Sequence, residues 1–143
     1  MPFWQLFYHL VWATKDRRPL LTSAIEPAVF AHLRDKAASL GATVYALNGA
    51  EDHVHMVVSI PPKIAVATFV GQVKAVASAR INKTAPDGAS FFWQEEYAAF
   101  SLDRKRLADH VRYVDLQKAH HAARTTIPAL ERTQEVEPGE GDA

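Results

Sequence analysis

The chain of 143 residues has no cysteine and no long apolar run, and each absence excludes a class of protein. Without cysteine there is no disulfide scaffold, no thiolate zinc site and no thiol nucleophile. No apolar run reaches the ~18–20 residues of a membrane-spanning helix, and the first residues lack the pattern of a secretory signal. We therefore expect a soluble, cytoplasmic protein without a membrane partner, whose 48% hydrophobic residues can build one core.

The formal net charge of zero hides a segregation of charge along the chain. Five acidic residues and one basic residue lie in residues 129–143, where apolar side chains are few. This composition predicts an acidic, disordered tail over residues 129–143 and a single folded domain over residues 1–128. The body before the tail carries a net charge of +4, which fits an anionic partner.

Hydrophobic periodicity and turn residues predict the element order β-α-β-β-α-β-α. The first predicted element is an interior strand over residues 4–14. A helix follows, which is opened by a capping box at Ser23 and Glu26 and ends near residue 40. The remaining predicted elements are a hairpin of strands over 43–47 and 53–60, a helix over 65–83, a turn at 86–88, short strand pieces at 91–93 and 98–100, and a helix over 103–121. The first six elements predict an α+β fold of the ferredoxin-like type, an antiparallel sheet with two helices on one face. The last helix is an addition to that fold.

The tripeptide His53-Val54-His55 is the first candidate for chemistry. Residues two apart on a strand point to the same face, ~6.6–7 Å apart along the chain, so two imidazoles can converge on one cation. Two hydrogen-bonded surface histidines have the same spacing. A metal site therefore needs at least one further donor from elsewhere in the fold.

The last helix offers such a donor and a nucleophile. Tyr113 and Gln117 are four residues apart and share a helix face, so an amide oxygen and a phenolic oxygen would lie side by side. A packed pair without a function has the same spacing. Basic residues that could contact a phosphodiester backbone lie on this helix and in the loop after the first strand: Arg104, Lys105, Arg112, Lys15, Arg17 and Arg18. Together these features predict that a tyrosine attacks a phosphodiester with the help of a metal ion.

Several spaced motifs resemble the single-tyrosine HUH transposases of insertion sequences, which are related to REP-associated tyrosine transposases. The resemblance spans roughly residues 3–121. It rests on residues 8–19, on Asp52-His53-Val54-His55, on residues 92–101 and on the helix that carries Tyr113 and Gln117. One position departs from the pattern, because Leu116 stands where relatives often have Asn. That change leaves the nucleophile and the ligand intact.

The resemblance implies metal-dependent nicking and rejoining of single-stranded DNA at hairpin element ends, through a covalent 5′-phosphotyrosine. It implies that Tyr113 is the catalytic nucleophile and that His53, His55 and Gln117 bind Mg²⁺ or Mn²⁺. It also implies a homodimer in which the His pair of one subunit and the tyrosine helix of the other form each active site. A nucleoid-associated protein is expected on the same basis.

Two alternatives remain open. The chain could be a non-catalytic nucleic-acid-binding protein on the same scaffold, although the intact histidines, tyrosine and glutamine argue against such a remnant. It could also be a metal-dependent nuclease that uses water and forms no covalent adduct. Of the remaining polar residues, His9 is predicted to be a structural histidine, His120 and His121 to complement the helix dipole, and Asp52 either to orient His53 or to shape the hairpin turn.

Overall fold

The computed structural model describes residues 2–85 and 90–135. The turn predicted at residues 86–88 and residues 136–143 of the predicted tail lie outside the described residues. The helices and strands are β1 (Phe7–Ala13), α1 (Glu26–Ser39), β2 (Thr43–Ala50), β3 (His53–Ser59), α2 (Val66–Thr84), β4 (Ala98–Leu102), α3 (Arg104–Asp115) and α4 (Gln117–Ala123), with short 3-10 turns at Lys15–Arg17 and Pro128–Glu131. None of the helices in the described part of the chain is both long and apolar enough to cross a bilayer.

The four strands form one antiparallel sheet in the order β2-β3-β1-β4. This topology confirms the predicted ferredoxin-like α+β fold. Strand β1 lies between β3 and β4, as its apolar character on both faces predicted. Of the pieces predicted at residues 91–93 and 98–100, only the second lies in a strand, because Trp93 makes a single isolated bridge with Thr14.

Helices α1 and α2 cover one face of the sheet and enclose the main core. Alternate residues of β1 and β3 point to this face, because successive side chains of a strand point to opposite sides. The core combines these strand residues with the apolar stripes of both helices, including Leu10, Trp12, Val54, Met56, Val58, Leu33, Phe69 and Val73. The predicted placement of two helices on one face is therefore confirmed.

Helix α3 packs on the opposite face of the sheet. Val114 of α3 is buried against Ala46 of β2 and Val57 of β3. The other alternating residues of β3, His53 and His55, point to this same face and are fully buried. One strand therefore contributes to the core with one side and presents both imidazoles to α3 with the other.

Helix α1 begins at Glu26 without the predicted capping box. The residue before it, Ile25, makes no side-chain capping bond. Instead, the backbone carbonyl of Thr22 accepts the backbone N–H of Ile25 at 3.2 Å and that of Glu26 at 2.9 Å. Pro27 in the first turn lacks an N–H and has a backbone angle suited to a helix start. The Glu26 carboxylate pairs with Lys118 at 2.9 Å.

The predicted helix over residues 103–121 is divided at Leu116, where the backbone adopts φ −95° and ψ 15°. The physical reason lies in the neighbouring hairpin. The side-chain amide of Asn48 donates to the carbonyl of Asp115 at 3.1 Å. Lys118 of α4 donates to the side-chain oxygen of Asn48 at 2.8 Å and to the carbonyl of Gly49 at 3.1 Å. These contacts attach the start of α4 to the end of the β2–β3 hairpin.

The close approach within this hairpin predicts how two glycines respond to substitution. A Cβ at Gly49 would lie 2.2 Å from the carbonyl oxygen of His53, whereas a Cβ at Gly71 in α2 meets nothing within 4 Å. We expect Gly49→Ala to lower the free energy of unfolding by about 1–3 kcal/mol and Gly71→Ala to raise it by about 0.5–1 kcal/mol. Urea denaturation measures both. Equal stability of the two variants would contradict the packing of the hairpin.

Candidate active site

The predicted site residues His53, His55, Tyr113 and Gln117 meet in one cluster. The histidines come from β3, Tyr113 lies near the end of α3, and Gln117 begins α4. The Oε1 atom of Gln117 lies 3.3 Å from Nε2 of His53. Both histidines and Gln117 are buried, with at most 1% of each residue exposed. The division of the helix at Leu116 thus leaves the tyrosine and the glutamine directed to the same place.

Glu131 occupies the centre of this cluster. Its Oε1 atom lies 2.9 Å from Nε2 of His53, 3.2 Å from Nε2 of His55 and 3.1 Å from Nε2 of His121. Its Oε2 atom accepts hydrogen bonds from the hydroxyl of Tyr113 and, at 3.3 Å, from the amide of Gln117. The carboxylate of Glu131 therefore connects the predicted nucleophile to the predicted metal ligands.

The position of Glu131 differs from the expectation that residues 129–143 lie outside the catalytic domain. The turn Pro128–Glu131 returns the chain to the site, and Thr133 is buried and accepts a hydrogen bond from Arg17 at 3.3 Å. The chain returns to the site here because imidazole N–H groups surround and attract the carboxylate of Glu131. Composition did not distinguish Glu131 from the other acidic residues of the tail. The apolar residues Ile127 and Leu130 beside it were the available signal.

The hydroxyl of Tyr113 is held by two partners. It donates to Glu131 and accepts the backbone N–H of Ile127 at 2.9 Å. The ring stacks on His120 with centroids 4.8 Å apart and lies 5.9 Å from the ring of His55. Burial and the hydrogen bond to Glu131 raise the pKa of Tyr113 to about 12. The phenol is therefore protonated at neutral pH.

His53 is oriented by carboxylates on both sides of its ring. Its Nδ1 atom lies 2.7 Å from Oδ1 of Asp52, whose other oxygen accepts from Nε of Arg17 at 3.4 Å. Asp52 thus orients His53, one of the two roles proposed for it. Burial alone would lower the pKa of His53, but the hydrogen bonds to Asp52 and Glu131 raise it to about 9.

His55 is oriented by another histidine. Its Nδ1 atom lies 2.8 Å from Nε2 of His9, and Nδ1 of His9 lies 2.9 Å from Nδ1 of His110 on α3. Burial is the main cause that lowers the pKa of all three rings, that of His9 to about 3. The sequence indicated only a structural role for His9 and no role for His110, because residues 101 positions apart give no local signal.

The cluster fits a divalent cation. The ligand atoms of His53, His55 and Glu131 lie within 4.8 Å of one another, and Oε1 of Glu131 is about 3 Å from each Nε2 atom. Adjacent ligands of an octahedral ion bound at ~2.1 Å lie roughly 3 Å apart. Imidazole nitrogens together with carboxylate and amide oxygens form a donor set for divalent metals.

The predicted DNA-binding residues divide into two groups. Lys15 and Arg17 line a cleft of about 970 Å³ that also includes Glu131, Phe92 and Trp93. Arg18 is exposed on the same loop. In contrast, the three predicted DNA-binding residues of α3 do not line this cleft: Arg104 and Arg112 line a separate surface, and Lys105 is exposed. The structure thus brings only the loop group next to the site.

A buried cation supports one wall of this cleft. The ammonium group of Lys74 in α2 donates to the backbone carbonyls of Gln94, Glu95 and Glu96, which line the cleft. Burial lowers the pKa of Lys74 to about 8. The three carbonyl groups satisfy the three N–H donors of the ammonium group. The position of this wall of the cleft therefore depends on the buried charge of Lys74.

The raised pKa of His53 predicts a pH-dependent stability. The folded chain holds this proton more tightly than the unfolded chain, so the stabilisation is complete below pH 6.5 and is lost as the pH rises through about 9. For metal-free protein in chelator, we expect His53 to contribute a loss of roughly 1–3 kcal/mol over this range. Chemical denaturation at several pH values measures it. Glu131→Gln should reduce the loss, and an unchanged pH profile in this variant would contradict the role of Glu131.

Comparisons with known proteins agree with this arrangement. A family model described as "Transposase IS200 like" matches residues 2–117. The chain is 28% identical over 119 residues to the ISDra2 transposase TnpA of Deinococcus radiodurans, and this match covers 80% of this chain and 85% of that protein. It is 33% identical over 75 residues to the transposase for insertion sequence element IS200 of Salmonella typhimurium, covering 52% of this chain and 49% of that protein.

Solved structures give the same result for the fold. A crystal structure from Deinococcus radiodurans R1 assigned as a transposase superimposes with a TM-score of 0.64 and 26% identity, covering 81% of this chain and 93% of that one. A REP-associated tyrosine transposase bound to a REP hairpin superimposes with a TM-score of 0.65 and 13% identity, covering 99% and 96%. Because the family model matches most of the chain, this protein belongs to the family of IS200-like transposases.

Proposed function

We propose that this transposase nicks and rejoins single-stranded DNA through a covalent 5′-phosphotyrosine at Tyr113, with Mg²⁺ or Mn²⁺ as cofactor. One observation carries the proposal: the hydroxyl of Tyr113 and the Nε2 atoms of His53 and His55 all contact the same carboxylate, Glu131. These contacts support the proposal that a tyrosine nucleophile and a bound cation act on the same phosphate group.

Each residue has a distinct part in the proposed reaction. His53, His55, Gln117 and Glu131 would hold the cation, which polarises the scissile phosphodiester when bound. The oxygen of Tyr113 attacks phosphorus, the bond to the 3′ oxygen breaks, and that oxygen leaves as a 3′-hydroxyl after taking a proton from water. Oε2 of Glu131 is positioned to accept the phenolic proton. The phosphotyrosine retains the bond energy, so a 3′-hydroxyl can rejoin the strand without ATP.

The proton acceptor is needed because of the pKa of Tyr113. A phenol with a pKa of about 12 is almost entirely protonated at neutral pH and is a weak nucleophile. Its hydrogen bond to Glu131 gives the proton a destination as the bond to phosphorus forms. A water-using nuclease would not need a tyrosine hydroxyl held in this way.

The cleft beside the site supports a single-stranded nucleic acid as the substrate. Lys15 and Arg17 can contact phosphates there, although Asp16, Glu95 and Glu96 line the same cleft, and the half-exposed ring of Phe92 offers a surface on which a base can stack. Hairpin element ends are the substrate that the resemblance implies. Contacts from Arg18, Arg104, Lys105 and Arg112 to flanking phosphates stay predictions, as does a location at the nucleoid.

A labelled single-stranded oligonucleotide carrying the flanking genomic ends tests the nucleophile. With Mg²⁺ or Mn²⁺, the wild type should form a protein–DNA adduct on a denaturing gel. Tyr113→Phe should abolish the adduct, by at least about 100-fold, because it removes only the attacking oxygen. Tyr45→Phe, a matched change on strand β2, should leave it unchanged, and chelator should abolish it in both active proteins.

The outcomes of this experiment separate the alternatives. A non-catalytic nucleic-acid-binding protein would bind the oligonucleotide and form no adduct in the wild type. A nuclease that uses water would still cut the strand after Tyr113→Phe. Either result would contradict the proposed function.

We propose further that Tyr113 acts within its own chain. This proposal differs from the homodimer with shared sites that the resemblance implies, and mixing of inactive variants distinguishes the two arrangements. In the chain described here, Tyr113 contacts Glu131 and packs beside His55 of the same chain. Val114 next to it is buried against the sheet of its own chain, and Asn48 binds the backbone of Asp115. These contacts support a site completed by one chain.

Mixing two inactive variants distinguishes a shared site from a site within one chain. Tyr113→Phe and the double variant His53→Ala, His55→Ala each lack one half of the site. If the site lies within one chain, every site in the mixture carries a lesion and no adduct forms. Restored adduct formation would establish exchange of the tyrosine helix, since one site of a mixed dimer would be intact. Co-purification of differently tagged chains shows whether dimers form.

A further inference from the structure

A row of hydrogen-bonded imidazoles connects the candidate metal site to the tyrosine helix. His55 contacts His9 at 2.8 Å through Nδ1 and Nε2, and His9 contacts His110 at 2.9 Å through their Nδ1 atoms. His9 and His55 are completely buried, and His110 is half-buried on α3. A hydrogen bond between two ring nitrogens needs a hydrogen on one of them and a free lone pair on the other. The direction of each bond in the row is therefore fixed by its neighbour.

Glu131 sets one direction for the whole row. An ionised carboxylate only accepts hydrogen bonds, so Nε2 of His55, 3.2 Å away, donates to it. A neutral His55 then has no hydrogen on Nδ1, and His9 must donate its Nε2–H to that atom. Nδ1 of His9 is left as an acceptor, and it accepts the Nδ1–H of His110. The hydrogens thus point from α3 toward the site.

A cation bound by His55 requires the opposite direction. A metal-bound imidazole nitrogen carries no hydrogen, so a neutral His55 must hold its hydrogen on Nδ1 and donate to His9. His9 then donates from Nδ1 to His110, whose hydrogen moves to Nε2. One proton leaves Nε2 of His55 to water and one reaches Nε2 of His110 from water. All three rings remain neutral in both states.

We propose that His9 is a positioning residue that determines which nitrogen of His55 carries the hydrogen, and that it transmits this choice to His110, three residues before Tyr113. The proposal rests on the metal site of the proposed function. An imidazole suits this place because it has one donor and one acceptor and can exchange them. An apolar side chain would leave Nδ1 of His55 buried without a partner, so the hydrogen that metal binding places on Nδ1 would have no acceptor.

Variants of His9 test this role through metal affinity. We expect His9→Phe, which keeps a ring without nitrogens, to weaken Mn²⁺ binding by about 10–100-fold. His9→Gln should restore most of the affinity, because its amide can accept from His55 and donate to His110. His32→Phe on α1, outside the site, is the matched control and should bind like the wild type. The affinity of the full chain is measured by titration with Mn²⁺, in which the electron paramagnetic resonance signal reports the concentration of the free ion.

Nitrogen chemical shifts of the imidazoles give a second readout that a purely structural role would not change. In wild-type protein we expect Mg²⁺ to move the hydrogen of His55 from Nε2 to Nδ1 and that of His110 from Nδ1 to Nε2. In His9→Gln the response of His110 should persist, and in His9→Phe it should disappear. Should His9→Phe fail to fold in chelator, the wild type and His9→Gln still give the result.

The outcomes separate this proposal from the function on which it rests. A wild type that binds neither Mn²⁺ nor Mg²⁺ would overturn the metal site, and the role of His9 with it. A wild type that binds the cation while His110 does not respond would overturn the role of His9 alone. Undiminished Mn²⁺ affinity in a folded His9→Phe would do the same.

Discussion

The structure of the site depends on the burial of strand β3 on both of its faces. Because its side chains alternate, Val54, Met56 and Val58 pack into the main core, while His53 and His55 point to the opposite face, where α3 and α4 cover them. The hydrophobic core thereby fixes the position of both imidazoles. A shift of the strand by one residue would bury the histidines in the apolar core and remove the site, so the pairing register and the chemistry are set by the same constraint.

Burial also requires that every polar atom of these histidines has a partner. The two rings meet this requirement differently: His53 has the carboxylate of Asp52 behind it, and His55 has the neutral ring of His9. The carboxylate raises the pKa of His53, whereas burial lowers the pKa of His55. Two chemically identical side chains of one strand are therefore unlike in charge, and their partners in the fold cause the difference.

The sequence predicted those parts of the fold and the site that depend on local spacing. The two-residue alternation of His53 and His55, the helical period of α2 and the four-residue spacing of Tyr113 and Gln117 each leave a pattern within a few residues. Glu131, His9 and His110 were missed because their contacts join positions far apart in the chain. The break at Leu116 was missed for the same reason, since Asn48 of the hairpin causes it.

The central place of Glu131 gives the imidazole N–H groups of this cluster one common acceptor. The N–H groups of the buried His53 and His55 need an acceptor, and one carboxylate oxygen serves both of them and the half-buried His121 as well. A cation bound to His53 and His55 would replace the hydrogens on their Nε2 atoms, so Glu131 would lose these two donors and could bind the positive charge that displaced them. The carboxylate is thus compatible with both states. Because His53 holds its proton up to a pKa of about 9, a cation at the proposed site would have to displace that proton, and we expect the affinity for the cation to fall as the pH is lowered.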